Sequence, residues 1–512
     1  MTAAHTPLSP VPLPTFSRME SVPPGLKPLV DELREQAGAA LDGLVGRLLN
    51  ARSGVEFYDV ERAVHQALRG LGDALVGGVL RFLAADPRLV EPCRAYWTEL
   101  AARQGERLQS NGYKETAVRL LGGGVVSVKT LRLARVRPTG PGRKPGRGKR
   151  GKAGTGLYPA LAQLGIVGKA TPALMAEVAR EVAESQSVAV ARESLSERGL
   201  GLHHSVALRL AYTMAERALE ARRRRFEGRD GMLPVREDGQ LFAGRRLLVS
   251  VDGGRLKIRE NPVGGRRREA TGHRRYDGVW REPKVLTIVV LDERGRRDPK
   301  VPPLLDATMG DADAVVALVI GHLKAHGGAA AAEVTLVADG AEWIWNRAQW
   351  IREQVGIDAK RWHEVLDYYH VVEHLSEVTK LVKSWDAKQR STWLKLQKGR
   401  LLQGRLHLVL EDVQALRIGR RSKGIRAQLN YLRTHKNRLD YKACKEHRRP
   451  MGSGAVESGV RRVVNLRMKG NSIFWLEEHA EGLLHLRSIL KSGRWTTAMH
   501  DAISTPAWAL AA

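Results

Sequence analysis

Apolar residues recur at helical spacing from Leu26 to about Asn111, as in VDELREQAGAALDGLVGRLLNA and AVHQALRGLGDALVGGVLRFLAA. That period predicts a helical N-terminal region. Two β-rich runs follow, TAVRLL and VVSVKTLRL, separated by Gly122-Gly123-Gly124, which is a hairpin signal. Helical spacing returns over residues 172–225. The run QSVAVARESL, from Gln186, precedes a turn at Gly199-Leu200-Gly201-Leu202, and a second helix starts near His204. Two helices about a glycine-containing turn fit a helix-turn-helix or an ordinary αα-hairpin. From Arg245 the period changes. RRLLVSVDGG and PKVLTIVVLDERG read as strands, DADAVVALVIGHLKAHG as an amphipathic helix and EVTLVADGA as a further strand. Strand, strand, helix, strand predicts an α/β domain. Residues 343–447 read as nearly continuous helix. A Gly-rich turn, RRPMGSGAVESG, follows, and a last helical region ends near Leu490.

Length and charge then narrow the class. At 512 residues the chain is too long for one ordinary domain. Its 84 Lys and Arg against 55 Asp and Glu leave a formal charge of +29, which points to a polyanion, most commonly nucleic acid. The stretch 138–155 carries Arg143, Lys144, Arg147, Lys149 and Arg150 with Gly and Pro and no acid, so it is a phosphate-tracking arm or a solvated linker. Arg222, Arg223, Arg224 and Arg225 close the helical stretch, as a phosphate contact or a solvated helix end. Cys93 and Cys444 form no CxxC pair, so neither a zinc site nor a disulfide framework is expected. No apolar run approaches the roughly 18 residues that span a bilayer. The Pro-rich residues 1–25 read as a disordered arm, not a signal peptide. A soluble cytoplasmic protein that does not enter the membrane is expected.

Two strands deliver chemistry at their ends. In VSVDGG and LVADGA an apolar run places one carboxylate, Asp252 or Asp339, directly before a glycine. Ligands of open α/β sheets bind at the carboxyl ends of strands, and Gly lets a phosphate or metal approach the backbone. Alone, each Asp reads more often as a turn residue or cap. Glu457 falls in the first turn of the helix after Gly452-Ser453-Gly454, where a Glu also complements the helix dipole. Joined, three carboxylates suit Mg²⁺, which prefers oxygen ligands and keeps waters. A pair of such ions activates the attacking oxygen and stabilises the leaving one in phosphodiester cleavage.

The chain resembles bacterial insertion-sequence transposases of the DDE class, most closely the ISKra type. The resemblance rests on VDGG at 251–254, ADGAEWIW at 338–345, LDYYHVVEHL at 366–375, MGSGAVES at 451–458, Arg467-Met468-Lys469 and LRSILKSGRW at 486–495. These blocks cover roughly residues 245–495. After Lys469 the chain departs from the family tail and reads GNSIFW. The resemblance implies an RNase H-like core with Asp252, Asp339 and Glu457 as the three acids. The helical stretch 343–447 is then an insertion between the second and third. Asp367 and His370 resemble a D-x-x-H signature of such insertions; at i, i+3 they share a helix face and can hydrogen-bond, bracing the insertion against the core. Trp343, Trp345, Trp350 and Trp362 read as packing residues, with base stacking as the alternative.

The expected fold is therefore an α/β RNase H-like core with a large all-α insertion, plus a mainly α-helical N-terminal DNA-binding region. The divisions are an arm at 1–25, a helical region with a hairpin at 26–137 and a basic linker at 138–155. A helical, DNA-binding region at 156–240 precedes the core, which runs over 241–342 and 448–495 around the insertion 343–447. A tail follows at 496–512. The expected activity is metal-dependent DNA strand cleavage and strand transfer at element ends. Mg²⁺ is the expected cofactor, with Mn²⁺ as substitute. The partners are double-stranded DNA, at element ends and target, and further copies of the chain on that DNA. Arg467 and Lys469 join the arm and Arg222–Arg225 as DNA contacts. An inactive, domesticated DNA-binding derivative and another RNase H-like nuclease are the competing readings.

Overall fold

The structure, a computed structural model, describes residues 22–103, 105–135, 156–228, 238–263, 275–470 and 473–505. The basic stretch with Arg143, Lys144, Arg147, Lys149 and Arg150, and most of the N-terminal arm, lie outside the described residues. The chain forms two compact units, residues 1–234 with 496–512, and residues 235–495.

The first unit opens with helices α1 (Lys27–Asn50), α2 (Gly54–Ala85) and α3 (Pro87–Arg103). Ser53 caps α2, accepting from the Glu56 N–H at 3.2 Å, while the Glu56 carboxylate accepts from the Arg52 N–H at 2.7 Å. Reciprocal bonds of this kind satisfy otherwise orphaned donors at a helix start. The helical reading ran to about residue 111, but α3 stops at Arg103 and Gly105 turns the chain at φ +76°. Strand β1 (Leu108–Arg119) then pairs antiparallel with β2 (Val125–Arg135). The Gly-rich hairpin tip wraps a carboxylate: Asp73 of α2 accepts from Gly122 N–H at 2.9 Å and Gly124 N–H at 2.6 Å. A Cβ on Gly122 would sit 2.6 Å from the Asp73 carboxylate, so the tip needs glycine. Leu89, Val90, Cys93, Trp97 and Ala101 of α3 bury against this hairpin and α4 (Pro159–Gln163). Helices α5 (Pro172–Glu184), α6 (Val188–Glu197) and α7 (His204–Phe226) complete the stretch, with α6 and α7 flanking the expected Gly199 turn.

The second unit is a mixed α/β fold. Strands β3 (Arg246–Gly253), β4 (Leu256–Val263), β5 (Arg275–Arg281), β6 (Lys284–Leu291) and β7 (Leu304–Thr308) lead into α8 (Ala312–Ala325), β8 (Glu333–Ala338), α9 (Glu342–Val355) and β9 (Trp362–Leu366). Five of them form one sheet in the order β7-β6-β3-β8-β9. β6 pairs antiparallel with β3 and β7, whereas β8 runs parallel to β3 and β9. β4 and β5 make a separate hairpin. The central strands are buried along nearly their whole length and mostly apolar, with Thr287 inside β6 and Thr335 inside β8.

The helical reading of 343–447 needs correcting at its start. α9 and β9 belong to the sheet assembly, and the all-helical part begins only after Asp367, with α10 (Tyr368–Leu381), α11 (Ala387–Leu402), α12 (Leu406–Ala415), α13 (Ser422–Thr434) and α14 (Tyr441–Glu446). The chain returns through α15 (Gly454–Val460), packed on β3 and β6, a π-helical turn over Arg461–Asn465, α16 (Leu466–Met468), and α17 (Glu477–Lys491), packed on β7. Gly459 permits the contact of α15, because a Cβ there would lie 2.8 Å from Thr287 Oγ1 of β6.

The last helix, α18 (Trp495–Ser504), is not a tail but a part of the first unit. The fully buried Arg217 of α7 donates to the carbonyls of Ala502 at 2.8 Å, Ile503 at 2.6 Å and Thr505 at 3.0 Å, ending that helix with a guanidinium. Among the described residues no helix is long and apolar enough to cross a membrane.

Candidate active site

Strand register aligns the carboxylates. β3 pairs with β8 through Val249 opposite Leu336, and β8 with β9 through Ala338 opposite Leu366. Three residues beyond the first pair stand Asp252 and Asp339; one beyond the second stand Asp339 and Asp367. Three neighbouring parallel strands, spaced about 4.8 Å apart, thus each carry an aspartate at or just beyond the carboxyl end.

Asp252 is half-buried, and its Oδ1 accepts from the Gly253 N–H at 2.7 Å. Its carboxyl titrates above the ordinary aspartate range. Burial is the largest cause, opposed by the Gly253 bond and reinforced by the negative charges of Asp339, Glu457 and Glu282. The two expected partners therefore lie within electrostatic reach of Asp252. Glu282 is a fourth acid that the sequence reading did not single out. It sits in the turn before β6, and a Cβ on Gly253 would meet its Oε1 at 2.4 Å. The signal lay in the register, since Gly253 pairs with Lys284, but that pairing is invisible without the sheet. Lys284 balances Glu282 at 3.0 Å.

Asp339 uses Oδ1 to accept the Ala341 N–H at 3.0 Å, and the Trp345 indole donates to its carbonyl at 2.8 Å. Glu457 is exposed, in the first turn of α15 as expected. Asp367 is buried, and it caps α10 rather than lying within it. Its Oδ1 accepts the backbone N–H groups of Tyr369 at 2.6 Å and His370 at 3.2 Å. The Asp–His link of the D-x-x-H signature is thus to the His370 backbone, while the imidazole faces Glu373 at 3.4 Å. The Asp367 Oδ2 takes the Ser453 N–H at 2.7 Å and its hydroxyl, and that hydroxyl is 3.3 Å from Glu457 Oε1. Asp367 therefore braces the turn that carries the third acid.

Among the described residues, no group of three or more His, Cys, Asp or Glu side chains is placed to hold a metal ion. The acids are instead an open cluster whose like charges oppose ionisation of Asp252. The donor set is all carboxylate, which suits a hard divalent cation, since Mg²⁺ takes one or two carboxylates with waters. A buried donor points the same way. The Tyr431 hydroxyl of α13, packed against Gly340, is screened from solvent and has no hydrogen-bond partner among the described residues.

The tryptophans divide. Trp345 and Trp362 are buried, and the Arg438 guanidinium lies 4.5 Å over the Trp345 ring, so both pack. Trp343 is half-buried under Lys284 at 4.8 Å, and Trp350 is exposed. GNSIFW is structural from Ile473 on: Trp475 exchanges backbone hydrogen bonds with Lys257 and Arg259 of β4, and Gly278 of β5 makes room for Phe474. Of the expected DNA contacts, Arg467 is buried over the Trp475 ring, whereas Lys469 is exposed. Arg223 and Arg224 pair with Glu220, Arg223 also with Glu227, and Arg225 is buried against Asp501. Those three arginines are engaged in ion pairs of the helix end.

No protein-family model matches the chain, and no characterised protein or solved structure matches it either.

Proposed function

We propose that the chain is a DNA transposase that cleaves and rejoins DNA through divalent cations held by Asp252, Asp339 and Glu457. The observation that carries this reading is that Asp252 and Asp339 stand at the carboxyl ends of adjacent parallel strands, while Glu457 opens α15, which packs on β3; the charges of Asp339 and Glu457 both raise the Asp252 carboxyl. Bound cations would activate the attacking oxygen and stabilise the leaving one. The protein's share is to gather the carboxylates, with Ser453 and Asp367 orienting the Glu457 turn, and to hold the phosphodiester in line. The reaction is first attack by water on the scissile phosphodiester, releasing a 3′-hydroxyl. That hydroxyl then attacks a target phosphodiester, so one P–O bond breaks for each one formed. We read the five-stranded mixed sheet, with helices packed on it, as the RNase H-like core of this class.

A surface for DNA accompanies the acids. Between Asp412 and Asp440 the chain has no acidic residue, and Arg417, Arg420, Lys423, Arg426, Arg433 and Lys436 are exposed along α13 and its flanks. Such a face suits a phosphate backbone. A strand-transfer assay with a donor end and Mg²⁺ tests the proposal. Cutting and joining are expected from the wild type. Asp252→Asn, Asp339→Asn and Glu457→Gln should each abolish both while leaving DNA affinity within about threefold. Cleavage without joining would favour another nuclease of this fold, and binding alone an inactive derivative. Near-wild-type cleavage by any one variant removes that residue from the assignment.

A further inference from the structure

The helical insertion reaches the acids at one point. Tyr431 of α13 lies against Gly340, the residue after Asp339, so closely that a Cβ there would fall 2.2 Å from the ring and 2.7 Å from the hydroxyl. Only glycine fits, so the strand-end Asp-Gly pair at 339–340 serves the tyrosine as well as any ligand. On the other side, the His374 ring of α10 stacks on Tyr431 at 3.7 Å with an interplanar angle of 17°, and His435 stands at 5.0 Å. His374 is itself fixed by the Gln428 side chain at 2.6 Å. The ring is therefore clamped and its hydroxyl aimed by packing rather than by a hydrogen bond.

Several buried side-chain polar atoms lack a partner among the described residues, and that hydroxyl is one of them. It is sheltered from solvent and unpartnered among the described residues, although buried polar groups are nearly always satisfied. The ring packs against Gly340, His374 and His435, with Asp339 and Asp367 within electrostatic reach. Burial first, then the negative charges of Asp339 and Asp367, push its ionisation up, so it remains a protonated donor at neutral pH. The hydroxyl is thus a fixed donor held against the backbone of the residue that follows Asp339.

We infer that Tyr431 is a positioning residue, whose hydroxyl donates to the oxygen shell that forms at Asp339 when a divalent cation binds. The inference rests on the carboxylate-cluster reading above. It makes the insertion part of the cation site, since α13 presents Tyr431 to the core while its opposite face is cationic. Partners outside the ligand shell typically alter metal affinity by about 10–100-fold.

Mn²⁺ alone, titrated against the full-length protein and followed by the electron paramagnetic resonance of the free ion, provides the test without recourse to activity. Tyr431→Phe keeps the ring on Gly340 and removes only the hydroxyl. Its Mn²⁺ affinity should fall about tenfold, while the metal-free protein melts at the wild-type temperature or slightly above, because an unsatisfied buried donor has been deleted. Equal Mn²⁺ affinities would overturn the inference. So would a lower metal-free melting temperature, which would show that the hydroxyl has a partner in the protein. Asp339→Asn separates this from failure of the broader reading: wild-type Mn²⁺ affinity in that variant removes the carboxylate site itself. Loss there, with Tyr431→Phe unchanged, removes only the role of the tyrosine.

Discussion

Ser453 gives both its backbone N–H, at 2.7 Å, and its hydroxyl to one carboxylate oxygen of the buried Asp367. This links the end of β9 to the turn that launches Glu457, and the backbone bond of Tyr368 to Met451 at 2.8 Å runs alongside it. Asp367→Ala should remove the α10 cap, a loss of about 1 kcal/mol, and release the Glu457 turn. A misplacement of about 1 Å at a reacting centre costs on the order of 100-fold in rate. Strand cleavage is thus expected to drop by about that factor with DNA affinity unchanged. Asp367→Asn, which keeps the volume, should fall between it and wild type. Full activity in Asp367→Ala would leave the brace without a catalytic role.

Asp252 carries the clearest pH signature. Its folded carboxyl holds a proton more tightly than an unfolded aspartate, so the stability this provides is present at low pH. It is lost as pH rises from the ordinary aspartate range through the raised folded value. Above both values the ionised cluster repels itself. Metal-free Asp252→Asn should therefore melt higher than wild type at pH 7, and the gap should close by about pH 3–4, where the unfolded aspartate is protonated too. Added Mg²⁺ should raise the wild type more than the variant. A variant that melts lower than wild type at pH 7 would contradict this balance.

Glu333 behaves in the opposite sense. At the start of β8 it lies opposite Arg246 of β3, paired at 2.8 Å, and Arg449 reaches it at 2.9 Å. Burial pushes its carboxyl up, but His363, Arg246 and Arg449 outweigh that and hold it down at about 2. The folded value is depressed, so the stability is present above the unfolded pKa of about 4.5 and drains away as pH falls from there towards 2. Breaking a largely buried pair costs on the order of 3 kcal/mol. Glu333→Gln should lose that much at neutral pH in denaturant unfolding and little at pH 2. An equal loss at both pH values would assign the effect to packing instead.

How far the sequence anticipates these sites follows from what each signal depends on. Strands β3, β6 and β8 announce themselves as apolar runs, and Asp252, Asp339 and Glu457 by the glycines beside them. β9 does not: WHEVL sets His363 and Glu364 side by side in a five-residue run, and it lies between helical stretches that absorb it. Its edge position leaves both of them half-buried. The β4–β5 hairpin is likewise masked by its charges. Tyr431, Glu282 and the capping role of Asp367 depend on contacts between distant segments, and no local period encodes those. Arg222 to Arg225 look like free cations in one dimension. In three, the last three of them meet Glu220, Glu227 and Asp501.

Assembly on DNA supplies the last test. Joining two element ends needs an active site at each, hence at least two chains on the proposed reading. α1 has no buried residue, and Leu41, Val45 and Leu49, spaced to share one helix face, are 53%, 51% and 73% exposed. Val55, Phe57 and Tyr58 at the start of α2 are also exposed. An apolar stripe this open fits a second copy of the same helix pair. The wild type with its terminal DNA should scatter light as two or more chains. Leu41→Lys combined with Leu49→Lys places charges on the stripe, so the DNA complex should fall to one chain. Single-end affinity should persist, because the cationic face of α13 is untouched, while joining of paired ends is lost. A double variant that still pairs and joins ends would move the interface away from α1.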